Sequence, residues 1–294
     1  MNTYNQARLK ADRCVRGVFV LAACILTLII VALLFFMSQQ GLLTFKDVSV
    51  GEFFFSSVWN PDNNQFGALS FIIGSLAVTV LAIAIGGPLG VVGALFMAKL
   101  APAWMRAILK PAVNLYMAIP SVVYGFVGLT VVVPWVRETF GVTGGFGIFT
   151  AASILAIMIL PTVISIASDA LGTVPAMLEE GSVALGATYW QTMWHIVLPT
   201  ALPGIVTGIV LGMARAIGET MAVQMVIGNT PQLATSLFMP TSTLPSEIVV
   251  EMGNTPFGST WGNSLFLMAL VLLLLSLLMI VLVRYISSRK AVRV

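Results

Sequence analysis

The sequence predicts an all-α, polytopic membrane protein with about six transmembrane helices, and three observations carry that expectation. Apolar residues make up 59% of the 294 residues and charged residues only 9%, against about 25% charged in an ordinary soluble domain. Six runs are poor in charge and long enough to cross a bilayer's hydrocarbon core, about 20 residues each: 18–37, 68–98, 112–136, 148–168, 204–227 and 264–283. The 14 Lys and Arg residues fall almost entirely on one side of these runs.

Residues 1–17 read as a basic N-terminal segment and 18–294 as the membrane domain. The first run contains Leu21-Ala22-Ala23-Cys24, which looks like a lipoprotein cleavage box. The apolar run continues for 13 residues beyond that cysteine, as an uncleaved spanning helix does and a cleaved signal does not. Cys14 and Cys24 are the only cysteines, so neither a disulfide framework nor a zinc site is indicated. The second, third and fourth runs are interrupted by Pro88, Pro120, Pro134 and Pro161, with Gly86, Gly87, Gly90, Gly93, Gly125 and Gly128 nearby. Two readings stay open: the small residues let helices approach closely, or the breaks line a path where water satisfies the freed backbone.

Orientation follows from the basic residues. Arg8, Lys10, Arg13 and Arg16 precede the first run; Lys99, Arg106 and Lys110 lie between the second and third; Arg284, Arg289, Lys290 and Arg293 follow the sixth. The opposite side has only Lys46 and Arg137. Both termini are therefore expected in the cytoplasm, with connections 38–67 and 228–263 outside. The net charge of +3 reflects this bias, and without a basic stripe it does not indicate nucleic acid. In the first external connection Phe53, Phe54, Phe55 and Trp59 form an aromatic cluster, suited either to docking a soluble protein or to a belt among the lipid headgroups.

The cytoplasmic connection 169–199 departs from the positive-inside pattern, with Asp169, Glu179 and Glu180 but no Lys or Arg. Pro175 suits a helix start, and a short helix is expected to Leu185, interrupted at Gly186. Thr188 and Gln191 fit a capping box opening a second helix. On it Trp190, Met193, Trp194 and Val197 share one face at i, i+3, i+4 and i+7, and Pro199 is expected to end it. From periodicity alone this is an interfacial helix resting Tyr189, Trp190 and Trp194 at the headgroups. His195, the only histidine, has no partners with which to make a triad or a metal site.

Glu180-Gly181-Ser182, then Gly186 after three residues, then Ile196, Leu198 and Pro199 resemble the cytoplasmic E-A-A…G…I-x-L-P loop of binding-protein-dependent ABC importer permeases. Gly181 and Ser182 replace the two alanines and are also small. The resemblance implies a type I importer permease fold and a coupling helix that inserts into a separate ATPase. The chain has no G-x-x-x-x-G-K-[ST] loop to cradle nucleotide phosphates, so ATP and magnesium are expected on that partner, with no cofactor here.

In the fifth run Arg215 and Glu219 stand four residues apart, and in a continuous helix they share a face. Ionisable residues inside a membrane usually face the bundle interior or a water-filled path. Two roles are open, a buried structural ion pair or a place on a substrate path.

Ala118-Ile119-Pro120-Ser121-Val122-Val123-Tyr124-Gly125, residues 214–223 and Ile227-Gly228-Asn229-Thr230 resemble the permease subunits of phosphate-specific (Pst) importers. Gly218-Glu219-Thr220-Met221-Ala222-Val223 favours the PstC-like over the PstA-like subunit, and the likeness extends over nearly the whole chain. It implies a PstA-like second permease, a PstB-like ATPase dimer and an external PstS-like phosphate-binding protein. Arg215 is then expected to guide phosphate, whose oxygens suit the guanidinium fork, with Glu219, Ser121, Thr220 and Asn229 on the same path. Alternatives are another oxyanion such as sulfate or molybdate and, from a different class, a stand-alone channel or secondary transporter, which leaves the coupling loop unexplained. An intramembrane enzyme would need a converging set of nucleophile, base or metal ligands, which Arg215 and Glu219 do not make.

Overall fold

The computed structural model describes the backbone of residues 2–290 and the side chains of residues 15–285. The elements follow in the order α1 (Asn2–Leu42), α2 (Val50–Phe55), β1 (Trp59–Asn60), β2 (Gln65–Phe66), α3 (Leu69–Leu95), α4 (Ala103–Met117), α5 (Ser121–Val127), α6 (Val133–Phe140), α7 (Ile148–Gly172), α8 (Ala176–Ala184), α9 (Tyr189–Thr192), α10 (Leu198–Ile217), α11 (Met221–Gln224), α12 (Leu244–Met252) and α13 (Thr260–Lys290). The strands form one antiparallel hairpin with Trp59 opposite Phe66.

Among the described residues six helical stretches are long and apolar enough to span a membrane: Val15–Lys46, Leu69–Leu100, Ser121–Phe140, Ile148–Gly172, Tyr189–Ile217 and Thr260–Tyr285. The expected number holds, and two spans shift substantially. The third span begins at Ser121 instead of residue 112, because Pro120 sits in extended backbone and separates amphipathic α4 from it. The fifth begins at Tyr189 and stops at Ile217, so the run expected at 204–227 is not one helix.

The chain has three wide, π-type turns, Phe96–Leu100, Gly128–Val132 and Met193–Val197, and the last two share a cause. Each ends two residues before a proline: Pro102, Pro134 and Pro199. A proline ring pushes away the carbonyl four residues earlier and offers it no N–H. In the second and third turns those carbonyls belong to Thr130 and His195, the middle residue of each, and widening relieves the clash and keeps the chain helical. The first turn instead ends its helix, with Ala101 and Pro102 in extended backbone before α4. Pro199 accordingly does not end the loop helix; it occupies the first turn of α10, and α9, the wide turn and α10 run on as one rod.

At the centre lies α7, packed between α3 and α10, with a core of Val78 and Ala82 from α3, Ile154, Leu155, Met158 and Ile159 from α7, and Ala216 from α10. Glycines make the close approach possible. A methyl group on Gly90 would lie 2.7 Å from Val163 Cβ and one on Gly86 2.8 Å from the Ala156 carbonyl oxygen, distances that real Cβ atoms do not reach. Gly93, Gly125 and Gly128 likewise abut side chains of neighbouring elements, whereas Gly87 does not. For these five, close packing is the reason for the small residue. By contrast α1 is enclosed nowhere along its apolar window and packs chiefly on α13.

At the expected external end, Phe53, Trp59, Phe66, Phe71, Leu244 and Leu265 form a second core. Phe53 and Trp59 are interior, so the expected aromatic cluster is a structural plug, and only Phe55 stands well exposed. Glu251 of α12 fastens it by accepting hydrogen bonds from Trp59 Nε1 at 2.9 Å and Trp261 Nε1 at 2.7 Å.

Candidate functional site

The fifth span breaks at Gly218, where the helical hydrogen bonding of α10 ends, and the four-residue α11 starts at Met221. The break separates the two charges expected to share a face. Arg215 stays in the last turn of α10, half-buried, and makes no ion pair among the described residues. Glu219 lies in the bend, where its Oε1 accepts the Ala222 backbone N–H at 3.2 Å. Its surroundings are Ser75 and Thr79 of α3, Leu155 of α7 and Thr243 before α12, which leave a cavity of about 10 Å³, room for at most one water. Of the two roles open for Arg215 and Glu219, the structural ion pair is therefore not formed.

Arg215 lies within electrostatic reach of the Tyr124 hydroxyl. That hydroxyl donates to the Tyr116 carbonyl at 2.8 Å, and the two rings meet edge to face at 5.5 Å. Tyr124 lies within the string Ala118–Gly125 and Tyr116 just before it, and nothing along the sequence sets either tyrosine apart from its neighbours. Of the other expected path residues, Ser121 sits half-buried in the first turn of α5. The Thr220 hydroxyl is turned to the Gly218 carbonyl at 3.3 Å. Asn229, in left-handed backbone at φ 45°, spends its side-chain N–H on the Gln224 carbonyl at 2.8 Å and holds the turn after α11. α5 packs directly on α11, so Ser121, Arg215 and Thr220 belong to one region, with Asn229 exposed beyond it.

The second functional region is the loop between α7 and α9. α8 opens after Pro175, as expected, and closes at Gly186, whose φ of +87° is a left-handed conformation that favours glycine. Nothing lies within 4 Å of a side chain built there, so the requirement is the turn and not a close contact. The capping box forms as expected, with Thr188 Oγ1 accepting from Gln191 N and the Gln191 side chain accepting from Thr188 N. The Ser182 and Thr192 hydroxyls hydrogen-bond at 2.9 Å and tie α8 to α9. Glu180, Gly181 and Gly186 are exposed, while Ile196, Leu198 and Pro199 are half-buried in the continuing rod.

The apolar stripe expected on the loop helix divides. Met193 and Val197 are buried, while Trp190 and Trp194 remain about half exposed and stack edge to face. The wide turn at Met193–Val197 accompanies this division, and the tryptophans are free for an external surface.

An oxygen-lined break inside a bundle, a solvent-facing helix-turn-helix at one end and six spans define a membrane transport subunit, and comparison with known proteins agrees. The chain belongs to the family described as binding-protein-dependent transport system inner membrane component, which it matches over residues 90–292. It is the multi-pass, non-catalytic component, and ATP hydrolysis belongs to a separate subunit. It is 47% identical over 284 residues, 95% of this chain and 92% of the other, to a protein of Bacillus subtilis named "Probable ABC transporter permease protein YqgH". It is 38% identical over 291 residues, 91% of this chain and 88% of the other, to "Phosphate transport system permease protein PstC" of Mesorhizobium japonicum. In three dimensions it resembles a chain of a bacterial ABC transporter that imports the acidic polysaccharide alginate. That likeness has a TM-score of 0.62 at 17% identity and covers 96% of this chain and 99% of that one, which establishes the type I permease fold.

Proposed function

We propose that this chain forms half of the membrane path of an ATP-driven phosphate importer. What carries the reading is Arg215, a cation in a broken membrane helix with no acid to neutralise it among the described residues. A charge there is worth keeping only if it lowers the electrostatic barrier to a passing anion, and a guanidinium suits phosphate oxygens. The solute is drawn from the relative in Mesorhizobium japonicum, whose name specifies phosphate transport. Ser121, Glu219 and Thr220 complete the region around the break, and Asn229 stands exposed beyond it on the same path. The cavity beside Glu219, too small for phosphate, fits a state that must widen before solute passes.

A PstA-like permease forms the other half, a PstB-like ATPase dimer carrying ATP and magnesium sits below, and a PstS-like binding protein delivers phosphate from outside. The orientation with both termini and the α8–α9 loop in the cytoplasm is supported by eleven basic residues on one side against two on the other. Glu180, Gly181, Ser182, Gly186, Ile196, Leu198 and Pro199 make up the coupling element toward the ATPase. Reconstituted with these partners, the complex is expected to accumulate phosphate only when ATP is supplied. ATP hydrolysis stimulated by sulfate- or molybdate-loaded binding protein, with none from the phosphate-loaded one, would refute the assignment of the solute.

A further inference from the structure

The two adjacent glutamates of α8 go separate ways. Glu180 is exposed, whereas Glu179 turns inward and forms an ion pair with Lys99, the side chains being only 25% and 15% exposed. Lys99 belongs to the wide turn at the end of α3, which is held from three directions. Its ammonium meets Glu179 of α8, its carbonyl accepts the Tyr189 hydroxyl of α9 at 3.1 Å, and the neighbouring Ala98 carbonyl accepts Arg106 Nη2 of α4 at 3.0 Å. The helix ends at Leu100, so Ala98 is among its last carbonyls, which lack helical partners, and the arginine caps it.

From Lys99 the wide turn and α3 stay helical, across Pro88, to Ser75 and Thr79, which wall the cavity around Glu219. At 1.5 Å per residue that is a lever of about 36 Å. We propose that Lys99, Glu179 and Tyr189 form a latch that passes movement of the α8–α9 loop to α3 and so to the wall of the solute path. The inference rests on the importer reading above. It assigns the two glutamates different tasks: Glu180 faces the ATPase, and Glu179 grips the permease's own helix. A salt bridge this far from full exposure, joined to a hydroxyl bond on the same residue, holds the loop and α3 in one relative position, and a stiff helix carries displacement at its end to its other end.

The experiment uses the complete complex in liposomes and reads phosphate taken up per ATP hydrolysed. Lys99→Met and Glu179→Gln are each expected to lower that ratio by about fivefold, the lower end of measured couplings between sites, while the ATPase still copurifies. The exchanged pair Lys99→Glu with Glu179→Lys is expected to restore the ratio, a recovery that a role in loop folding alone does not require. An unchanged ratio in both single variants, or an assembled exchanged pair no better than they are, overturns the latch. If Lys99→Met fails to assemble, Tyr189→Phe decides, since it removes one hydroxyl: a lowered ratio supports the latch and a wild-type ratio overturns it. Failure of the phosphate reading looks different, as a wild-type complex that hydrolyses ATP and takes up no phosphate. The latch is then read from the share of ATP hydrolysis that depends on the binding protein.

Discussion

Glu247 tests how the external end is held together. Its side chain is 3% exposed near the start of α12, and its Oε2 has no hydrogen-bond partner. Burial pushes its pKa from 4.5 up to about 7, with repulsion from Glu251 adding to the rise. The Ser242 hydroxyl pulls the other way but is not placed to hydrogen-bond in the resting structure. In the unfolded chain a glutamate loses its proton near pH 4.5, while the native protein keeps this one until about pH 7. Between those values the native state binds more protons, so stability falls as pH rises through the window. The penalty is absent below about pH 4.5 and complete above about pH 7. At about 1.4 kcal/mol per pKa unit, it amounts to about 3 kcal/mol. Glu247→Gln stays neutral and keeps nearly the same volume. It is expected to match the wild type at pH 4 and to unfold at a higher temperature at pH 8, measured on detergent-solubilised protein. Parallel pH profiles for the two proteins would show that the carboxyl is not held protonated and would refute the reasoning.

Arg215→Gln is expected to insert and assemble at wild-type levels, since the arginine leaves no acid partner unpaired, and to lose ATP-driven phosphate uptake; near-normal uptake in liposomes removes its guiding role. Gly186→Val forces a β-branched side chain into left-handed backbone, a strain of about 1–3 kcal/mol, and is expected to uncouple uptake from ATP hydrolysis while the permease still reaches the membrane, checked by uptake and membrane immunoblot together. Gly90→Val drives two methyl groups into Val163 and is expected to destabilise the α3–α7 contact by about 1–3 kcal/mol, read as a lower thermal midpoint in detergent. With Cys14 and Cys24 replaced, an impermeant thiol reagent on intact cells is expected to label Asn63→Cys and to spare Leu185→Cys; the opposite pattern inverts the topology.

The sequence by itself determined the class, the number of spans and the loop. Those features follow from local, additive physics: apolar length against membrane thickness, basic residues against the membrane's sidedness, and a spaced motif with a capping box whose hydrogen bonds close within four residues. Pro175 and Gly186 were legible for the same reason, since each fixes its own backbone. What the tertiary structure alone decided is where helices stop and which groups meet. Periodicity carried Arg215 and Glu219 onto one face because it assumes an unbroken helix, whereas the chain bends at Gly218 and sends Glu219 toward Ser75, Thr79 and Thr243. Likewise Pro199 looked like a terminator, and a wide turn absorbed it instead. Phe53 and Trp59 looked like surface aromatics until Glu251 and Trp261, about 190 residues later, closed over them. The Lys99–Glu179 latch joins residues 80 positions apart. Such contacts depend on how three helices are brought together in space, and no pattern of neighbours along the chain encodes that.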